Sequence, residues 1–247
     1  MKKNINWKVF LAIILILISF TFYAANLLIF KEPRNVFFYF FIDLGFLPLS
    51  VLLVTLFLDS LLNQREKKTK LNKLNMVIGA FFSEVGSSLL ADLKSYDKNA
   101  DFLMEELKKI NTWNKKEYAI FKYKIMDYKS AIDISCEDEL KVKQFLVSKR
   151  DFLLRLLENP NLLEHETFTE LLWAVFHMTE ELSCRKSFDN QPEADLAHIN
   201  GDFKRGYNLL IKEWITYIEH LKSAYPYLYS LAVRQNPFNK DADVFIS

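Results

Sequence analysis

Four histidines, two cysteines and an aspartate set deep in an apolar run are the residues whose types could do chemistry in this chain. Asp195-x-x-His198 has the i, i+3 spacing that places a carboxylate and an imidazole on one side of a helix, as metal-binding bundles use it. A dinuclear site of that kind needs a second Glu/Asp-x-x-His pair, and none occurs. Asp195 and His198 therefore stand as an incomplete metal motif. His165-Glu166 lacks the second histidine of a zinc-protease helix. His177 and Glu181 lie one turn apart, with Trp173 one turn before them, and His177 reads as a solvated or satisfied histidine. No Walker A, GxGxxG or GxSxG string is present, so no residue is assigned to catalysis and no cofactor is expected. Cys136 and Cys184 have neither metal nor redox spacing and read as free, buried thiols.

Asp43 is the remaining oddity. A carboxylate inside hydrocarbon costs a few kcal/mol unless protonated or paired, and Asp43 sits within the second of two long apolar runs, Lys8 to Phe30 and Val36 to Leu62. At ~1.5 Å per helical residue these runs reach ~35 Å and ~40 Å, enough to cross a hydrocarbon layer of about 30 Å. Only Lys31-Glu32-Pro33-Arg34-Asn35 separates them, which predicts a transmembrane hairpin. The first run is far longer than the apolar core of a signal peptide, so it reads as a retained anchor. Counted outward from Pro33, Asp43 and Tyr23 fall at equal heights and Asn26 one turn nearer the loop. The three form a candidate polar cluster within the membrane. Gly45 and Pro48 follow as a candidate kink. The sequence leaves the reading of Asp43 open: a clamp between the two helices or a group snorkelling toward the outer interface, or else a carboxylate facing a pore made by several copies.

Basic residues set the orientation. Lys2, Lys3 and Lys8 precede the first run. Arg65, Lys67, Lys68, Lys70 and Lys73 follow the second and suit anionic headgroups, whereas the short loop is nearly balanced. Both termini are expected in the cytoplasm, with the chain in the cell's inner membrane. The organisation expected is a hairpin over 1–62, a cytoplasmic helical bundle over 63–238 and a tail over 239–247.

The bundle follows from periodicity. Leu71, Leu74, Ile78, Phe81, Val85 and Leu89 recur at spacings of three and four and predict one helix continuing from the membrane to Leu93. Further helices are expected from Asn99 to Ile110, from Asn114 to Lys129 with Thr112 or Asn114 as cap, and from Ser135 to Asn159. Two more run from about Glu164 to Cys184 and from Pro192 to Pro226, and a short one follows Pro226. With 5 glycines in 247 residues, a turn-rich β architecture is excluded. The fold class is all-α. A net charge of +1 gives no basic surface of the kind nucleic-acid binders show.

The two-span N-terminus, the stretch Lys73-Leu74-Asn75-Met76-Val77-Ile78-Gly79-Ala80-Phe81-Phe82-Ser83-Glu84-Val85-Gly86, and the closing Tyr225-Pro226-Tyr227-Leu228 with Asn236-Pro237-Phe238 resemble a group of uncharacterised prokaryotic integral membrane proteins. The resemblance implies a two-span anchor with a helical cytoplasmic domain, and it implies no activity or site residue. Function is therefore expected to lie in association: a membrane-anchored signalling or scaffolding module with the bilayer, further copies of itself or a cytoplasmic protein as partners. The alternative is a small oligomeric channel or pore-forming effector gated by its bundle.

Overall fold

A computed structural model describes residues 7–162, 165–189, 191–243 and 245, without the side chains of residues 8, 9, 30, 68, 71 and 72. Lys2, Lys3, Glu164 and the side chains of Lys8, Lys68 and Leu71 lie outside the described residues. Among the described residues the regular structure is helical, apart from one isolated bridge between Asp97 and Ile132. The chain is all-α.

It divides into two compact units, Met1–Glu66 and Lys67–Ser247. The first holds α1 (Trp7–Phe30) and the opening of α2 (Pro33–Phe81). Two residues join them where five were expected. Lys31 adopts a left-handed conformation with φ 53°, and its N–H donates to the Leu27 carbonyl at 3.1 Å, closing α1. Pro33 then opens α2, since the first helical position has no use for the N–H that proline lacks. Phe10–Ile29 and Pro33–Lys67 are long and apolar enough to cross a membrane, and their most apolar windows contain no buried residue. The helix continues through Gly45 and Pro48.

In the second unit α2 ends in a π-helical turn, Phe82–Gly86, followed by α3 (Ser87–Ser95). The Ser87 N–H donates to the Phe82 carbonyl, five residues back. This turn corrects the expectation of one regular helix to Leu93. It adds a residue to the local period, so that Phe81 and Phe82, then Val85 and Gly86, then Leu89 and Leu90 are buried as pairs. A third segment, Lys73–Ser95, is also long and apolar enough to span, yet much of it is buried among the other helices.

The remaining elements are α4 (Ala100–Leu107), a 3-10 turn (Ile110–Thr112), α5 (Lys115–Met126), α6 (Cys136–Ser148), α7 (Arg150–Leu157), α8 (Glu166–Cys184), α9 (Glu193–Ala224) and α10 (Pro226–Arg234). Local chemistry starts several of them. Asn114 and Glu117 form a reciprocal capping box at α5, Ser135 caps α6 and His165 Nδ1 accepts the Phe168 N–H at α8. The helix expected from Ser135 to Asn159 is broken at Lys149. Val142, Leu146, Leu153 and Leu156 are buried, and the same stripe would bury Lys149; the chain turns there, and the Lys149 ammonium reaches Glu84 at 2.9 Å.

α9 is the central strut, packing against α3, α5, α8 and α10. Its Tyr207 and Trp214 are fully buried; Trp214 meets Phe238 at 5.4 Å, and Tyr217 stacks on Phe82 at 5.1 Å. Asn236 donates to the Leu107 carbonyl at 2.9 Å and accepts the Phe238 N–H, which fixes the Asn-Pro-Phe closure into the core. Lys108 holds Asp241 at 2.6 Å, so this part of the expected tail touches the bundle. Both cysteines are free, and both are exposed rather than buried as expected.

Gly86 is required by close packing: an added Cβ would lie 2.6 Å from the Phe82 ring and 2.8 Å from the Phe81 ring. Gly201, within α9, faces open space. Gly86→Ala is predicted to destabilise the bundle by ~1–3 kcal/mol, and Gly201→Ala to stabilise it by about 0.5–1 kcal/mol. Thermal unfolding in detergent, followed by circular dichroism, should rank the two on opposite sides of the parent.

Candidate functional site

The π-helical turn and the last turns of α2 face α9 and α10 across a cavity of about 470 Å³. That volume falls in the range of small-molecule sites, and so does its character: apolar walls with a few placed polar groups. Phe82, Trp214, Leu228 and Leu231 supply wall, and Asn75 and His220 supply the polar end. Tyr217 lies against α2 at Gly79, its hydroxyl 3.4 Å from where a Cβ would sit, an ordinary contact distance.

His220 is half-buried on α9. Asn75 Nδ2 lies 3.4 Å from its Nδ1, and its Nε2 is buried without a hydrogen-bond partner. With Nδ1 accepting from the amide, the neutral ring carries its proton on Nε2, a donor with nothing to donate to. Burial holds the imidazole below its usual pKa, which favours this neutral form. The same residue borders a second opening, lined by Trp113, Tyr118 and Glu219, so it stands between two hollows of the bundle.

A second polar constellation lies where α8 packs on α9. Asp202 is 4% exposed, and its Oδ2 lies 3.3 Å from His177 Nε2 and 3.5 Å from His198 Nε2. Glu181 Oε1 is 3.9 Å from His198 Nε2. Asp195, the expected partner of His198, instead accepts from Arg185 at 2.8 Å. The partner one turn along, Asp202, escaped the sequence reading. Its signal was the pair His198-x-x-x-Asp202, which repeats the His177-x-x-x-Glu181 spacing already visible on α8.

Elsewhere, His165 caps α8 and lies 3.7 Å from the buried Glu213, whose other oxygen accepts the Thr167 hydroxyl at 3.0 Å. Burial pushes the Glu213 carboxyl up.

In the first unit, Tyr23 meets the Phe40 ring edge-on at 6.5 Å. No hydrogen bond joins Tyr23 or Asn26 to Asp43 among the described residues, and all three are exposed. Gly45 has open space around it. Lys67 and Lys73 are exposed on α2, in one continuous helical stretch with Arg65 and Lys70.

Two family models cover nearly the whole chain. One describes the N-terminal helical domain of MJ1433 and matches residues 2–62; the other describes the C-terminal helical domain of uncharacterized protein MJ1433 and matches residues 70–234. The chain belongs to the MJ1433 family. Uncharacterized protein MJ1433 of Methanocaldococcus jannaschii is 46% identical over 234 residues, which are 95% of this chain and 94% of that relative. No solved structure matches. The family descriptions name helical domains and no activity.

Because the unfolded chain binds the His220 proton more tightly than the folded one, the stability contributed by this group is complete above about pH 6.5 and falls as pH drops through that value. Thermal midpoints at pH 8 and pH 5 should therefore differ more for the parent than for His220→Gln. Equal differences would mean that burial of this ring has no cost.

Proposed function

We propose that this MJ1433-family protein is a membrane-anchored signalling or scaffolding module acting through helix-mediated association, with a small amphiphile in the α2–α9–α10 cavity setting its state. The observation that carries the proposal is the run of α2 from Pro33 to Phe81 without interruption. A helix is stiff along its axis because each turn is bonded to the next. Asn75 and Gly79, which border the cavity, lie on the same hydrogen-bonded helix that begins at Pro33. The apolar outer surfaces of Phe10–Ile29 and Pro33–Lys67 suit lipid as their covering. The basic residues at the end of the second stretch suit a cytoplasmic headgroup layer, with both termini on that side.

Association is the activity to measure. Light scattering of the detergent-solubilised chain should give a mass of more than one copy, and a Gly-Pro insertion after Gln64 should change that mass while leaving the helical content of the bundle in place. A monomer with and without the insertion would contradict the proposal.

The exposed Asp43 and the open space at Gly45 favour one further reading, an oligomeric channel gated by the bundle. In planar bilayers a carboxylate-lined pore should conduct, and Asp43→Asn should alter its conductance or selectivity. Silence, or current indifferent to the substitution, removes this reading.

A further inference from the structure

We propose that the α8–α9 interface carries a divalent transition-metal site formed by His177, His198 and Asp202. The three ligand atoms lie within 4.8 Å of one another. At Zn–N and Zn–O distances of about 2.0–2.1 Å, neighbouring donors of a tetrahedral ion stand ~3.3–3.4 Å apart. The separations of 3.3 Å and 3.5 Å from Asp202 Oδ2 to the two Nε2 atoms already fall near that edge length. The ligand nitrogens of the two imidazoles, both half-exposed, lie within 4.8 Å of each other.

Asp202 Oδ2 supplies the independent sign of a missing ligand. It is buried, and neither imidazole donates a hydrogen bond to it despite lying so close. A buried carboxylate oxygen without a hydrogen bond is costly. Its other oxygen is held by Arg205, which orients the carboxylate and leaves Oδ2 as a single donor aimed between the two rings. A cation at that point satisfies the orphaned oxygen and both imidazole lone pairs at once.

The helix spacing makes the arrangement. His177 and Glu181 are one turn apart on α8, His198 and Asp202 one turn apart on α9, so the two pairs confront each other across the packed interface. Glu181, held by Arg185 at 3.1 Å, is within reach as a fourth donor. Two imidazoles and one or two carboxylates are the donor set of zinc and of other late first-row divalent ions, and they suit calcium or magnesium poorly. The histidines are 49% and 54% exposed, which gives the ion a path from solvent. The bound ion would fasten α8 to α9 at the end of the strut opposite His220.

Cobalt(II) is the probe, added to the chelator-treated, tag-free full chain in detergent. One equivalent should bind with the visible ligand-field bands of a low-coordinate site, zinc should displace it, and zinc should raise the thermal midpoint. His177→Ala and His198→Ala, both at half-exposed positions, should keep the parent's circular dichroism and each weaken binding by about 100-fold. His220→Ala should leave it unchanged. Absence of a stoichiometric cobalt spectrum, or binding that survives both histidine substitutions, overturns the site.

Discussion

One backbone is shared by both halves of this molecule. α2 begins at Pro33 and ends at Phe81, while the chain divides into compact units at Glu66 and Lys67. The first part of the helix is apolar with an exposed surface, and the last part carries Leu74, Ile78 and Phe81 into a closed core. The hydrogen-bond ladder that makes the helix passes from one environment to the other without a Gly or Pro at the junction. The signalling or scaffolding proposal rests on that continuity.

The bundle end of this rod is defined by crowding. The π-helical turn rotates the chain so that Phe81 and Phe82 are both buried, Phe81 against Phe168 and Phe82 against Tyr217. Gly86 leaves the space those rings need. The same distortion shapes one wall of the cavity, an arrangement in keeping with the frequent use of π-turns at functional sites. His220 and Asn75 close the polar end. α9 connects this region with the His177, His198 and Asp202 cluster, so a single 32-residue helix carries both places where a ligand could act.

Much of the fold could be read from local signals. Asn114, Ser135, Pro192 and Pro226 each stand at or beside a helix start, because caps and prolines act on the backbone within one turn. The helix expected from Pro192 to Pro226 is α9, bounded at both ends by those prolines. Features that depend on distant neighbours stayed hidden. The break at Lys149 has no glycine or proline to announce it and arises from a lysine falling on an apolar stripe. The π-turn adds one residue to a pattern of threes and fours that already tolerates either. Asp195 and Asp202 flank His198 at i−3 and i+4, and only the packing of α8, with Arg185 drawing Asp195 away, decides between them. A reducing compartment and the absence of metal or redox spacing make the two thiols free, but say nothing of burial, and both lie on the surface.

Continuity of α2 is tested most directly by a nitroxide scan at single cysteines from Leu58 to Lys73, introduced into a chain lacking Cys136 and Cys184 and reconstituted in lipid. Mobility and oxygen accessibility should oscillate with a period of about 3.6 residues through Gln64, without a gap. A block of uniformly mobile, solvent-exposed positions in that interval would show a hinge, and the shared-rod account would be wrong.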